Sequence, residues 1–491
     1  MKIVNRNMKL EIILFVELFF IIICGLLFHP ESVDGALKIV GRISIICMAA
    51  TLLSVFCIHH KIGFSFFLCV FSYVFSFGQS MLMLTNYNLS TTSPFSMRNG
   101  YFTPREIYNS SIFVLCSLCV TFIGYCALFK NPPEQSKERA IFRNEEKLRS
   151  VGWFLVIVSI LPTFYLLYLD ITSTYTLGYA STLQGYRGIA KICSLVSGLF
   201  ISGILMVFLF EKKRLRRLTI LLIIGCYFLL QLVGGSRGTV FQIGVLLIII
   251  WNLFFKSINR KKAFLMVILL LSGMFVFSIV SAARIWMSNG VNATGIVKMV
   301  IKDLIENNFL FACIREMGNT QIINTLVYKD CPSLVEHQLG YSYVKILWAI
   351  LPNFIGAAYT GYIGVDITFS KLYPLTSAGL GASYISEGFW NFGYGSLIIF
   401  LIFGCLLGLL EKKFIELCNS NGKKNATTVF VAVYLMFYIL FRVRGEFLSF
   451  GREMVYYVLI PLFLCKLNLC KCGNLRVRPI RMIMCRAEES I

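Results

Sequence analysis

The sequence predicts an all-α polytopic integral membrane protein with about 12 transmembrane helices and one long outer loop. Hydrophobic residues make up 57% of the 491 residues, only 14% are charged, and the mean hydropathy is +0.76. The charges are clustered, and the apolar runs between them are long enough to cross a hydrocarbon core of about 30 Å. A soluble chain of this length needs more polar surface, so that class is excluded.

Twelve apolar segments predict the helices, since a span needs roughly 20 residues. They cover residues 10–28, 43–58, 63–84, 112–129, 151–169, 192–210, 218–232, 239–255, 263–282, 394–410, 427–441 and 455–469. The first follows Lys2, Arg6 and Lys9 as a signal peptide would, but it is long for one, contains Glu17 and has no A-x-A site after it. We therefore expect it to be retained as a helix.

The distribution of Lys and Arg predicts the orientation of these helices. With the N-terminus inside, 29 of the 46 Lys and Arg fall on the cytoplasmic side, and EKKRLRR (211–217) and KSINRKK (256–262) are short, dense loops. Cytoplasmic loops of membrane proteins collect these residues. We expect a multi-pass protein of the inner (plasma) membrane with both termini cytoplasmic. The net charge of +22 then reflects topology, and no nucleic-acid partner is expected.

One loop is much longer than the others. It runs over residues 284–391 on the predicted periplasmic or extracellular side, between the ninth and tenth helices of a single membrane domain (1–491). Segment 295–311 has an apolar helical face, and 348–364 is rich in apolar and aromatic residues. These patterns predict interfacial helices and a re-entrant piece. No internal repeat is found, which disfavours transporters built from two related halves.

Metal and cofactor signatures are missing from the sequence. The 17 cysteines lie mostly singly inside apolar runs, as small packing residues do. No His/Cys/Asp cluster has metal-ligand spacing, and no DxD, phosphate-binding loop or G-x-S-x-G elbow occurs. We therefore expect no metal and no cofactor.

The segment GGSRG (234–238) joins two predicted spans with almost no loop. Glycines let backbone N–H groups converge on an anion, and Arg237 adds a forked cation that suits phosphate oxygens. The helix that begins just after it also favours negative charge at its N-terminus. The alternative is a tight turn whose arginine reaches the lipid headgroups.

Further arginines lie at other outer helix ends, and orientation does not explain them. They are Arg284, after the ninth predicted helix, and Arg442, Arg444 and Arg452 in FRVRGEFLSFGRE. A second arginine cluster at an outer turn favours an anion site over lipid contact. A lipid-linked diphosphate places its charge at this depth, at the outer boundary between membrane and water.

Six outer carboxylates are candidates for acid–base chemistry: Glu306, Glu316, Glu336, Asp366, Glu387 and Glu446. We single out Glu316, beside Arg315, and Glu387, among glycines and aromatics. A general base needs a carboxylate held near a sugar hydroxyl; the alternative for each is a structural hydrogen-bond partner. Nearby aromatics could stack on sugar faces or form an interfacial belt: Trp348, Tyr359, Tyr362, Tyr373, Tyr384 and Trp390.

Four segments in order, GGSRG (234–238), EMGNT (316–320), GASYISEGFWNFG (381–393) and RVRGEFLSFGRE (442–453), resemble the O-antigen (Wzy-type) oligosaccharide repeat-unit polymerase family. The long outer loop before the last three spans and the layout of twelve spans add to the resemblance. It covers roughly residues 218–460, and the N-terminal third matches only as generic membrane helices.

The resemblance implies a metal-independent membrane glycosyltransferase. Two undecaprenyl-diphosphate-linked oligosaccharides meet on the outer face, and the growing chain leaves its lipid carrier to join the non-reducing end of a new repeat unit. Arg237, Arg442, Arg444 and Arg452 carry over as diphosphate contacts, and Arg284 is added by position. Glu316 or Glu387 then serves as base or sugar contact. The implied partners are the bilayer and, from the same pathway, a chain-length regulator and a flippase.

Three other functions are open at this point. A flippase or transporter of the same lipid-linked sugar would place ionisable residues in mid-membrane, whereas here they gather at outer helix ends. An O-antigen ligase shares the topology and leaving group, so the distinction rests on GGSRG and SEGFWNFG. A scaffold of an envelope complex would not require arginines at several outer turns.

Overall fold

The computed structural model describes residues 2–59, 63–85, 93–96, 100–129, 142–177, 188–234, 237–251, 309–351, 364–373, 381–419 and 424–467, and these ranges are mostly helical. The first helices are α1 (Lys2–Leu27), α2 (Val33–His59), α3 (Phe64–Leu82), α4 (Pro104–Leu128), α5 (Glu145–Leu177), α6 (Ile189–Phe210), α7 (Arg214–Val233) and α8 (Arg237–Ile250). The later ones are α9 (Phe309–Met317), α10 (Thr320–Asp330), α11 (Tyr341–Trp348), α12 (Val365–Leu372), α13 (Tyr384–Phe392), α14 (Ser396–Asn419), α15 (Ala426–Arg442), α16 (Phe450–Met454) and α17 (Ile460–Lys466).

Short elements complete the described ranges. Single 3₁₀ turns cover Met83–Thr85, Gly393–Gly395 and Phe447–Ser449, and a π-helical stretch covers Val455–Leu459. Strands β1 (Phe142–Arg143) and β2 (Lys424–Asn425) form one parallel pair. This pair joins the segment before α5 to the segment before α15.

The predicted helices agree well with the observed ones. Eleven of the twelve predicted apolar segments overlap helices of the structure, and the ninth, 263–282, lies outside the described residues. Among the described residues, eight helical segments are long and apolar enough to cross a membrane. The chain is therefore an all-α membrane protein with several spans, while the count of twelve stays a prediction.

One group of helices is formed by α1–α4 together with α14, which packs along α4. Glu17, the predicted charge within the first span, is buried there. Its carboxylate accepts hydrogen bonds from Thr51 on α2 (3.0 Å) and Tyr73 on α3 (3.1 Å). A charge in an apolar bundle needs such partners, so Glu17 ties three helices together.

Glycines let α14 approach α4 very closely. Gly404 and Gly408 form a G-x-x-x-G spacing, and a Cβ at Gly404 would collide with the carbonyl oxygen of Thr121 on α4. Small residues at this spacing let helix backbones meet, so that dispersion contacts replace the missing hydrophobic drive between membrane helices. This contact sets the position of α14, which follows α13 after one 3₁₀ turn.

The C-terminal half of α14 holds the beginning of α3. Glu411 is fully buried, and its two oxygens accept the backbone N–H groups of Phe64 (3.1 Å) and Ser65 (3.2 Å). Tyr125 of α4 adds a hydrogen bond of 2.9 Å. The first N–H groups of a helix lack intrahelical partners, and a carboxylate there also suits the helix dipole. Glu411 therefore caps α3 from a distant part of the chain.

The predicted outer loop carries five short helices, α9–α13, in its described part. α9 and α10 pack on α3, α10 also packs on α4 and α13, and α11 packs on α16. The interfacial helix predicted around 296–305 lies outside the described residues, as does most of the predicted re-entrant segment, 352–363. The side of the membrane on which the loop lies stays a prediction.

Candidate functional site

Glu387 connects two of the four segments that resemble the Wzy-type polymerase family. It lies in α13, whose first turn is fixed by a capping box between Ser383 and Ser386. Its side chain is completely buried. One carboxylate oxygen accepts the backbone N–H of Phe447 (2.6 Å), and the other accepts the hydroxyl of Ser342 on α11 (2.9 Å). Both oxygens therefore bind protein donors, and GASYISEGFWNFG is fastened to RVRGEFLSFGRE.

Asn391 completes this connection one helical turn after Glu387. Its Nδ2 donates to the Ser342 hydroxyl (2.7 Å) and to the Glu387 carbonyl (2.8 Å). Its Oδ1 accepts the N–H of Gly340 (3.1 Å). Ser342 and Asn391 are not among the site residues predicted from the sequence. The spacing of Glu387 and Asn391, which places them on one helix face, was the available signal.

Arg442 is used largely for contacts within the protein. Its guanidinium stacks on the ring of Tyr438 (4.0 Å from Cζ to the centroid) and donates to the carbonyl of Glu446 and the hydroxyl of Ser449. It also forms an ion pair with Glu453 (3.5 Å). These contacts fold the turn after α15. A role of Arg442 as a diphosphate contact stays a prediction.

Arg444 lies against a backbone that only glycine accommodates. Gly381 has φ +79°, and a Cβ there would lie 2.7 Å from Nε of Arg444. The guanidinium also lies 6.0 Å from the ring of Phe75 on α3. Among the residues that the structure describes, the side chain of Arg444 has no hydrogen bond or ion pair, and its backbone N–H donates to the carbonyl of Phe441 (3.2 Å). Its charge and its N–H donors are thus available to an anion.

Glu446 lies against the beginning of α12. Its Oε2 accepts the N–H of Val365 (2.7 Å), and Gly364 is so close to Oε1 that a Cβ there would collide with it. The neighbouring Asp366 accepts the N–H of Gly381 (2.9 Å). Because Gly381 lies against Arg444, this bond connects the first turn of α12 to Arg444. The first turn of α12 therefore lies between the carboxylate and the guanidinium.

The environment of Glu446 raises its pKa to about 7. Burial is the main cause, and the charges of Glu387 and Asp366 act in the same direction. The N–H of Val365 and the charge of Arg442 oppose the shift. Glu446 is one of the six acids predicted on the outer side. The sequence does not distinguish it from the other five, because its neighbours come from other parts of the chain.

Arg452 lies half-buried in α16, beside Glu453, the ion-pair partner of Arg442. α16 packs on α11, where a Cβ at Gly451 would lie 2.5 Å from the carbonyl of Ile346. Arg452 thus belongs to the same folded turn as Arg442.

Glu316 lies in the last turn of α9 and is half-buried. The rest of EMGNT docks on α3: a Cβ at Gly318 would lie 2.5 Å from the N atom of Gln79, and Asn319 accepts a hydrogen bond from that side chain (2.7 Å). The segment therefore serves packing, and a catalytic role of Glu316 stays a prediction.

GGSRG forms the short connection that its sequence predicts. α7 ends at Val233 with Gly234 as its C-cap, and α8 begins at Arg237. Arg284 lies outside the described residues. The diphosphate roles of Arg237 and Arg284 stay predictions.

The predicted aromatic residues have different environments. Tyr384 and Trp390 are buried, whereas Trp348 is 53% exposed and Tyr373 is half-buried. Tyr359 and Tyr362 lie outside the described residues. In the described ranges, no group of three or more His, Cys, Asp or Glu is placed to hold a metal ion.

Comparisons with known proteins give one match. The family described as O-antigen polysaccharide polymerase Wzy matches residues 10–471, which is most of the chain. Searches among curated proteins and among solved structures found no match.

Proposed function

The chain belongs to the O-antigen polysaccharide polymerase Wzy family, and from this premise we propose that it joins undecaprenyl-diphosphate-linked oligosaccharides on the outer face of the plasma membrane. The growing chain leaves undecaprenyl diphosphate and is transferred to the non-reducing end of a new repeat unit. The reaction is a glycosyl transfer that needs neither metal nor nucleotide.

The observation that carries the proposal is the hydrogen bond from the N–H of Phe447 to Glu387, which fastens the turn that bears Arg442, Arg444 and Glu446 to α13. A diphosphate leaves readily once its developing charge is stabilised, which is a task for arginines. An acceptor hydroxyl gains from a nearby carboxylate base. The turn after α15 supplies both the arginines and the carboxylate.

Arg237 and Arg442 belong to two helices that pack together, α8 and α15. α8 packs against α15, and Ile243 of α8 and Phe437 of α15 line one small apolar cavity. At 1.5 Å per residue, Arg237 lies about 9 Å from Ile243 along α8, and Arg442 about 8 Å from Phe437 along α15. In the proposed topology these two helices are antiparallel. Because Arg237 begins α8 and Arg442 ends α15, both arginines then lie at the outer end.

We place twelve spans in the inner membrane, both termini in the cytoplasm and residues 284–391 outside. Contacts between segments assigned to the cytoplasmic side support this arrangement: Phe142 pairs with Lys424, and Lys212 forms an ion pair with Glu145. We further propose that the enzyme works beside a flippase and a chain-length regulator of the same pathway.

A gel profile of surface glycan from cells with and without this chain tests the proposal. We expect deletion to leave lipid or core that bears a single repeat unit, without a ladder of longer chains. Re-expression of the wild-type chain should restore the ladder. Loss of every unit, including the single one, would instead favour a ligase or a flippase.

A further inference from the structure

The site contains three carboxylates, and their contacts distinguish them. Glu387 is completely buried and both its oxygens accept protein donors, so a substrate hydroxyl cannot reach it without breaking α13 from the turn after α15. Asp366 holds the N–H of Gly381. Glu446 is half-buried, and among the described residues only the Oε2 atom of its carboxylate accepts a hydrogen bond.

The backbone around Glu446 is held rigidly on both sides. Arg442 donates to its carbonyl, and the N–H of the next residue, Phe447, donates to Glu387. Gly364 leaves space for Oε1 where any side chain would collide. A catalytic group needs such a fixed position, since small displacements reduce rates strongly.

The first turn of α12 separates the Glu446 carboxylate from the guanidinium of Arg444, which has no ion pair in the described ranges. Arg444 is two residues before Glu446 in the chain. Its guanidinium contacts Gly381, whose backbone N–H donates to the carboxylate of Asp366 in the first turn of α12. A leaving diphosphate and an attacking hydroxyl must meet at one anomeric carbon. Around the first turn of α12, the guanidinium of Arg444 suits the leaving diphosphate and the carboxylate of Glu446 suits the attacking hydroxyl.

We propose that Glu446 is the general base that activates the acceptor hydroxyl, an assignment that rests on the proposed function. The hydroxyl oxygen forms a bond to the anomeric carbon of the donor sugar. The bond from that carbon to the diphosphate oxygen breaks, and its electron pair leaves with undecaprenyl diphosphate. The hydroxyl proton passes to Glu446, which later releases it to water.

The acid–base properties of Glu446 support this role. A base works best when its pKa lies near the working pH, and burial together with Glu387 and Asp366 raises the pKa of Glu446 to about 7 against the effect of Arg442. The carboxylate is then about half ionised at neutral pH and basic enough to take a proton.

The substitution Glu446→Gln tests the proposal, because the amide oxygen can still accept the Val365 N–H while the group can no longer take a proton. The matched control is Glu336→Gln, an exposed acid of the long predicted outer loop (284–391). Membranes that carry each variant are supplied with lipid-linked repeat unit extracted from the deletion strain, and elongation is measured from pH 5 to 9.

We expect wild-type and E336Q rates to fall as pH drops below about 7, and E446Q to lose about 100-fold or more and keep little pH dependence. E446D, which retains a carboxylate, should recover part of the rate. Two results would overturn the assignment: an E446Q elongation rate within about threefold of wild type, or a wild-type rate that does not change between pH 5 and pH 9. Failure of the wild-type chain to elongate would instead contradict the proposed function.

Discussion

Glu387 accepts the backbone N–H of Phe447 at 2.6 Å, although the two residues are 60 positions apart. The bond replaces a contact that the N–H would otherwise make with water, inside a site where Glu387 is not exposed. A buried donor left without a partner costs about 1–3 kcal/mol. The bond therefore holds the arginine-bearing turn in position against α13.

The first prediction concerns this bond. Glu387→Ala leaves the Phe447 N–H and the Ser342 hydroxyl without their acceptor, so we expect a lower melting temperature and loss of long polysaccharide. Glu387→Gln keeps an acceptor for Phe447, and its amide can donate to Ser342, so it should retain most of the stability. Thermal unfolding of the purified variants and the glycan ladder measure the two effects.

A result in which E387Q keeps wild-type stability but makes no polymer would contradict a purely positioning role for Glu387. It would indicate that the carboxylate itself takes part in the reaction, as sequence analysis proposed.

The second prediction concerns Arg444. Arg444→Ala removes a guanidinium that has no ion pair among the described residues, so we expect little change in stability and a strong loss of chain elongation. Removal of one donor that stabilises developing charge costs about 100-fold or more. Arg444→Lys should recover part of the rate, because a lysine keeps the charge without the forked donors.

Arg105→Ala is the matched control, since Arg105 is exposed at the beginning of α4. Elongation assays in membranes should give a wild-type rate for R105A. Equal effects of R105A and R444A would show that a general loss of surface charge, and not a diphosphate contact, is responsible.

The third prediction concerns Arg237. We expect Arg237→Ala to leave the protein in the membrane but to abolish long polysaccharide, since the proposed site uses this charge at the beginning of α8. Membrane fractionation and the glycan ladder are the measurements. A ladder of normal length in R237A would show that GGSRG does not contribute to the anion site.

The fourth prediction concerns pH and stability. The pKa of Glu446 is raised from 4.5 to about 7, so the folded state prefers the protonated form. Its ionisation destabilises the fold as pH rises from about 4.5 to about 7, and the full penalty remains above that range. Glu446→Gln should therefore raise the melting temperature relative to wild type at pH 8, with a smaller difference at pH 5.

Unfolding of purified wild-type and E446Q protein at the two pH values measures this difference. An equal shift at both values would indicate a packing effect of the amide and not relief of a buried charge. Stabilisation combined with lost activity is expected of a residue kept for catalysis at a cost in stability.

The sequence predicted the helices well because apolar runs of membrane length are a strong local signal. It also pointed to Arg444 and Glu387, through outer charge and family-like segments. It could not reveal that Glu411 caps α3 or that Glu446 lies against Val365, because those contacts join parts of the chain 347 and 81 residues apart. Glycines and aromatics around Glu387 predicted a partly buried setting, but the same limit hid its partners Ser342 and Phe447.

The last prediction concerns the close approach of α14 and α4. A Cβ at Gly404 would collide with the carbonyl of Thr121, whereas a Cβ at Gly225 on α7 meets nothing within 4 Å. Alanine has a higher helix propensity than glycine by about 1 kcal/mol at both positions. Gly225→Ala should therefore leave the protein as stable as wild type or slightly more so.

Gly404→Ala adds the same methyl group and the same propensity, but it forces two backbones apart. Overpacking of this kind costs about 1–3 kcal/mol, so we expect a lower melting temperature for G404A than for G225A. α14 follows α13 after a single 3₁₀ turn, so a displaced α14 also moves Glu387 away from Phe447. Chain elongation should thus fall in G404A and not in G225A, and equal behaviour of the two variants would show that α14 has room to shift without disturbing the site.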